Sequence, residues 1–301
     1  MADRADQWDD KEIGRPCVRR LGDAYWMWYA GCDSRFECAI GLAHSADGVV
    51  WRRFGPGPVL RPPARRLQPG YHSFANPCVL DRGDRFWLVV TAQGERARAD
   101  LVASESHDGV TWANPRLLAT GPTAAGFGAP SAVAAGDAVH LFVPVLDVDA
   151  AGQVRGVAIQ HAVAADAALG VWEWGSDWPQ ADVDYPCALV ENGRFVLWFS
   201  RYRDGAWAIE RAESADGASW TEPEIVIAPG AAGGLDAAGA LGPCALPEAG
   251  GYTMWRLGSS RSSDGYRGFV MRSRSPDGRR WTVDPAAPVF RPSYGAYLNP
   301  F

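Results

Sequence analysis

The feature that most constrains this chain is a single strand-turn-strand pattern that recurs from end to end. The first copy reads RPCVRRLGDAYWMWYAG, then AIGLAHSADGVVWRR, then GPVLRP. The second reads NPCVLDRGDRFWLVVTA and DLVASESHDGVTWANPRLLAT. The later copies read YPCALVENGRFVLWFSR with AIERAESADGASWTEPEIVIAP, and GPCALPEAGGYTMWRLG with GFVMRSRSPDGRRWTVDPAAPVFRP. Between them APSAVAAGDAVHLFVPVL is the most divergent copy, with HAVAADAALGVWEW where the others carry their SxDG turn.

Each copy holds short β runs joined first by a tight turn (LGDA, DRGD, AAGD, ENGR, EAGG) and later by an SxDGxxW hairpin. Gly and Asp supply the positive φ and the side-chain hydrogen bonds that such turns need. Trp51, Trp112, Trp220 and Trp281 fall at one place after that hairpin and are expected to pack between repeats. Four antiparallel strands per copy, repeated five times, predict an all-β, five-bladed β-propeller. It would be one domain over 1–301, with blades near 8–62, 71–120, 125–180, 182–229 and 236–292. A β-sandwich of this size is the competing architecture, but sandwiches rarely repeat internally. The first and last copies keep their own final strand (PVLRP and PVFRP), so the ring is expected to close by packing, with no strand borrowed across the seam.

Composition narrows the partners. A net charge of −6 lacks the basic patch of a nucleic-acid binder. No apolar run nears the roughly 20 residues that span a bilayer. The polar start MADRADQWDDKEIGRPC has no signal-peptide core, so a cytoplasmic location is expected. Abundant Ala, Arg and Gly suggest a GC-rich bacterial genome. Of six cysteines, Cys17, Cys78, Cys187 and Cys244 each follow a proline at one point of the repeat and read as small buried hydrophobes. Cys32 and Cys38 stand across a loop and are expected as free thiols in a reducing compartment. No CxxC or HExxH spacing occurs, and no metal or cofactor is predicted.

Strand order places the chemistry on one face. The segment before each proline and the loop between second and third strands share that face, around the axis. The first set brings Trp8, Asp9, Asp10, Glu12 and Arg15, then Tyr71, His72, Phe74 and Asn76, with Phe127, Asp182, Asp184, Tyr185 and Asp236 from the later copies. The loops add Asp33, Arg35, Glu37, Glu95, Arg96, Arg98, Asp147 and Asp149, then Arg201, Arg203, Arg256, Arg261 and Arg267. Carboxylates, arginines and aromatics on one face suit a small sugar-containing ligand. For single loop residues such as Asp149 or Arg261 a solvated surface role is the simpler reading.

The pattern XPCV, GxxYWMWYxG, IGxAxSxDGxxW and GPVL resembles the five-bladed arabinanase/levansucrase/invertase-type glycoside hydrolases, from about Trp8 to Pro292. The resemblance implies axial carboxylates acting as nucleophile or base, as general acid and as an orienting group. In that family an aspartate commonly precedes the proline of an inner strand. Here Arg15, Asn76, Ala129, Tyr185 and Gly242 stand there, and none is acidic.

Two readings follow. The acids have moved upstream, to Asp10 or Glu12, to Asp182 or Asp184, and to Asp236, with Arg15 and His72 positioning a small glycoside or oligosaccharide. Asp182 and Asp184 alternate about Val183, so an extended segment would point both one way. Alternatively the scaffold serves a non-hydrolytic cyclase or isomerase of natural-product metabolism, or an inactive sugar-binding relative. Arg15, His72, Asn76 and Tyr185 would then line the pocket. The catalytic candidates are Glu12, Asp184, Asp236 and His72. The binding candidates are Asp10, Arg15, Tyr71, Asn76, Phe127, Asp182, Tyr185, Arg201 and Arg256.

Overall fold

The computed structural model describes residues 8–35, 37–63, 70–94, 98–164, 169–262, 265–285 and 287–290. Among them every regular element is a strand. The first antiparallel run is β1 (Glu12–Leu21), β2 (Ala24–Cys32), β3 (Cys38–Ser45) and β4 (Arg52–Arg53). The second is β5 (Tyr71–Asp81), β6 (Phe86–Gly94), β7 (Ala99–Ser106) and β8 (Arg116–Ala119). A two-residue β9 (Gly126–Phe127) precedes β10 (Ser131–Ala135), β11 (Ala138–Val148), β12 (Val154–Ala164) and β13 (Glu173–Pro179). Then come β14 (Val183–Glu191), β15 (Arg194–Arg203), β16 (Ala206–Ser214) and β17 (Glu224–Ile227). The last run is β18 (Gly239–Glu248), β19 (Gly251–Ser262), β20 (Gly265–Ser275) and β21 (Thr282–Val283). Single parallel bridges, Ala99 to Gly126 and Trp207 to Gly239, tie neighbouring runs into larger open sheets.

The first full strand of each run lies inside. β1 packs on β5, β5 on β10, β10 on β14, β14 on β18, and β18 returns to β1. The residue after each proline links these strands. Cys17 Sγ accepts from Val79 N, and Cys78 Sγ accepts from Ala132 N. Ser131 Oγ, which replaces a cysteine, accepts from Ala188 N; Cys187 Sγ accepts from Ala245 N, and Cys244 Sγ from Val18 N. The thiols thus do more than fill volume: each satisfies an amide of the adjacent inner strand that would otherwise be buried without a partner. Across the seam these links, with the Arg272 Nη1 bond to Asp47 O (2.7 Å), join the last run to the first, with no exchanged strand among the described residues.

The hairpins show why SxDGxxW recurs. In the first, Asp47 Oδ1 accepts from Val49 N and Val50 N while Ser45 Oγ accepts from Gly48 N; the other three copies repeat this. Gly48 needs φ +70°, and a Cβ there would stand 2.7 Å from Trp255 of the neighbouring run. That approach lets Trp255 Nε1 donate to Gly48 O. Trp28 donates likewise to Gly109 O and Trp198 to Gly278 O, so three fully buried indoles peg one run to the next. In the divergent third run Leu169 (φ 51°) takes the turn position, with Trp172 Nε1 on its carbonyl. Trp87, facing that run, stacks on Trp172 and leaves its Nε1 unbonded among the described residues.

Cys32 and Cys38, expected as free thiols, form a disulfide. They face each other in the β2–β3 register with Cα atoms 4.1 Å apart, so the strand pairing itself brings the two sulfurs onto one side.

The third run also buries a histidine pair. His140 Nδ1 lies 2.8 Å from His161 Nε2, so one proton is shared, and His161 stacks on Phe142. Burial, with His140 beside it, lowers the His161 pKa to about 4, with Asp216 pulling the other way. The folded state therefore binds fewer protons than the unfolded chain between about pH 6.5 and pH 4, and stability falls as pH falls through that window. After discounting for solvent access the loss is on the order of 2 kcal/mol. Urea unfolding of the native chain and of His161→Phe should diverge over this range; parallel curves would refute the assignment. A further loss below about pH 4 should be common to both, because backbone amides lower the pKa of turn aspartates such as Asp108 and Asp216.

Candidate active site at the axis

Four inner strands carry a bulge at the same place. Register slips between Gly14 and Cys17, Ala75 and Cys78, Asp184 and Cys187, and Leu241 and Cys244. The residue before the proline takes the left-handed region each time: Arg15 (56°), Asn76 (55°), Tyr185 (55°) and Gly242 (61°). For a residue with a Cβ this region costs about 1–2 kcal/mol, and such strain concentrates where a side chain must be aimed. Only Gly242 adopts it freely.

Arg15 and Tyr185, 170 positions apart, meet across the axis. Arg15 Nη2 donates to Tyr185 Oη at 3.4 Å, and the guanidinium lies 5.5 Å from the ring centroid. Both line a cavity of about 270 Å³ with Asp182, Asp184, Tyr202 and Trp207, backed by Leu241 and Leu257. It opens on the face that the strand order singled out, offset toward the third to fifth runs. Beyond Arg155, Asp182 and Tyr202 it continues into an open groove of about 820 Å³ that includes Asp149, Arg203 and Asp204.

Asp184 is 3 % exposed. Its Oδ1 accepts from Ala129 N (2.9 Å) and Tyr185 N (2.7 Å). Gly128 makes room, since a Cβ there would fall 2.5 Å from that oxygen. Burial holds the Asp184 carboxyl above the usual carboxylate range, although the two amides and Arg15 pull the other way. Tyr185, itself buried, is pushed up to about 12 chiefly by burial. Glu12, also buried, acts electrostatically on both Arg15 and Tyr185. Burial opposes the Arg15 charge, but Tyr185, Glu12 and Asp184 outweigh it and keep its pKa above the ordinary value.

The other sequence candidates separate. Asp236 pairs with the fully buried Arg256 at 2.7 Å, outside the cavity lining. Arg201 is held by Glu210 at 2.8 Å, with Gln180 as a further partner, and Arg203 reaches the same Glu210. Tyr71 donates to Asp100, and the buried Phe127 stacks on the exposed Trp174. Asn76 Nδ2 donates to Thr91 Oγ1, leaving Asn76 Oδ1 buried and unbonded among the described residues; Asp10 Oδ1 is in the same state. His72 is exposed at a further register slip and does not line the cavity. Asp182 and Asp184 do not form a matched pair: φ +57° at Asp182 breaks the alternation, and its carboxylate faces Arg155 at 3.6 Å. Asp9 holds Tyr29 and Arg53, while Asp33 and Asp149 cap their own loops. Glu95 and Arg96 lie outside the described residues.

Sequence reading missed Arg155, Tyr202 and Trp207. Arg201 and Arg203 drew attention as charges, yet strand alternation puts the residue between them on the opposite face, and that residue is the aromatic of the cavity. Among the described residues no cluster of three metal-ligating side chains occurs.

No protein-family model matches the chain, and no curated protein matches it by sequence. Solved structures do. A thermostable family-43 glycoside hydrolase is 14 % identical with a TM-score of 0.67, covering 95 % of this chain and 96 % of its own. The Cellvibrio cellulosa α-L-arabinanase is 13 % identical with a TM-score of 0.68, covering 96 % and 99 %. The Bombyx mori family-32 β-fructofuranosidase is 12 % identical with a TM-score of 0.66, covering 91 % of this chain and 63 % of its own. The resemblance drawn from the repeat therefore holds at the level of fold: the chain is built as a β-propeller like those glycoside hydrolases.

Proposed function

We propose that this chain is a glycoside hydrolase-like enzyme on a five-bladed, four-stranded propeller, acting on a small glycoside in the axial cavity. The observation that carries this reading is Asp184, a buried carboxyl whose pKa burial raises, on the wall of a cavity that also holds the Arg15 cation. Hydrolysis of a glycoside needs one protonated and one ionised carboxyl group across the anomeric carbon. Asp184 supplies the acid. Its Oδ1 is occupied by two amides, which leaves Oδ2 to carry the proton toward a leaving oxygen. Glu12, buried outside the cavity lining and acting electrostatically on Arg15, is the proposed partner as base or nucleophile. A cavity of about 270 Å³ lies at the small end of ligand pockets and suits a single sugar ring, with the open groove left for the rest of the molecule. Trp207 and Tyr202 offer the aromatic faces on which a ring stacks.

The non-hydrolytic reading rests on the missing acids before the inner-strand prolines and on the apolar wall of Leu241 and Leu257. A panel of nitrophenyl furanosides and pyranosides decides between them. Product release is expected, with kcat/KM falling as pH rises through the raised Asp184 pKa, because the acid must be protonated to work. No turnover on any member would defeat the hydrolase.

A further inference from the structure

Arg15 is the unmatched charge of the cavity. The buried arginines hold a carboxylate, as Arg201 has Glu210, Arg256 has Asp236 and Arg272 has Asp284. Arg19, half-buried like Arg15 but off the cavity, has none among the described residues and donates to Val18 O. Arg155, the cavity's second cation, is already shared between Asp149 and Asp182. Arg15 forms no ion pair among the described residues. Its side chain makes one long hydrogen bond, to Tyr185 Oη, and lies over that ring. Glu12 and Asp184 act on it through space only. A partly buried guanidinium with most of its donors uncommitted is costly unless an anion arrives to meet it.

We propose that Arg15 and Tyr185 bind a carboxylate carried by the substrate, so that the sugar in the axial cavity is a uronic acid residue. The planar guanidinium fork matches a carboxylate through two parallel N–H bonds, and the adjacent phenol adds a third donor. Tyr185 keeps its proton, since its titration is pushed up to about 12. The left-handed backbone at Arg15 and at Tyr185 is strain spent on aiming this pair at one point. A free oxyanion such as phosphate would meet the same fork, so the test must separate the two sources.

The inference takes the size of its ligand from the small-glycoside reading, yet the two fail separately when binding is measured without turnover. Isothermal titration of the full chain with D-glucuronate, D-galacturonate, D-glucose, D-galactose and inorganic phosphate is the experiment. At least one uronate should bind at least tenfold tighter than its neutral counterpart. Arg15→Gln should erase that preference. Arg15→Lys, which keeps the charge and loses the fork, should weaken uronate binding severalfold and guards against a folding defect in the first variant. Equal binding of neutral and acidic sugars, or uronate binding indifferent to both variants, would overturn the proposal. So would phosphate binding without uronate binding, which would assign the site to a free anion. Uronate binding with no hydrolysis of any glycoside would leave the proposal standing and remove the hydrolase. Cleavage of neutral glycosides with no uronate binding would do the reverse.

Discussion

Trp255→Ala should remove about 3–5 kcal/mol of folding stability, the range for deleting a large aromatic from a packed interior. Trp255 is fully buried, packs on Tyr25 and Trp51, and donates to Gly48 O at 3.0 Å. It also sits at the seam, where the last run meets the first with no exchanged strand among the described residues. The loss would be from about a fifth to all of the stability of an ordinary domain, about 5–15 kcal/mol. Trp255→Phe separates packing from hydrogen bonding. It keeps most of the aromatic volume, and Gly48 O retains a second donor in Trp51 Nε1 at 3.2 Å. Its cost should therefore be only about 1–2 kcal/mol. Urea unfolding followed by tryptophan fluorescence measures both. Equal losses for the two variants would show that the N–H bond, not the packed indole, holds the seam.

That peg illustrates what the sequence can and cannot disclose. A repeat written in local terms, such as turn glycines, SxDG caps and a proline at a fixed phase, is legible because each copy obeys the same short-range stereochemistry. Trp51, Trp112, Trp220 and Trp281 stood out in the same way, but the pegging indoles Trp28, Trp198 and Trp255 did not, because their acceptors lie in the next run, at Gly109, Gly278 and Gly48. The site suffered most from this. Counting charges favoured Arg201, Arg256 and Asp236, which the fold spends on internal ion pairs. Tyr202 and Trp207, which do line the cavity, carry no charge and passed unnoticed. The bulges that turn Arg15 and Tyr185 inward shift register by a residue, so simple alternation cannot find them. Two of the residues before the prolines, Arg15 and Tyr185, do line that cavity. His72, one of the most prominent single candidates by sequence, is exposed and off the cavity.

Asp184→Asn should cut kcat on a glycoside with a poor, alkyl leaving group by about 10²–10⁴-fold, the usual worth of a general acid. The variant is a clean one. Asparagine keeps an oxygen to accept from Ala129 N and Tyr185 N, so the local backbone stays in place. Stability should move the opposite way to activity. Because burial raises the folded-state pKa, the folded chain binds the proton more tightly than the unfolded chain, and stability falls as pH rises from about 4 through that raised value. Asp184→Asn removes this dependence, so at neutral pH its Tm should equal or exceed that of the native chain. The loss in kcat should also shrink as the leaving group improves, since a good leaving group needs less protonation. A merely structural carboxyl would predict a lower Tm and a rate loss blind to the leaving group. If that is the result, Asp184 is scaffold, and the acid must be sought at Glu12 or the chemistry abandoned as hydrolysis.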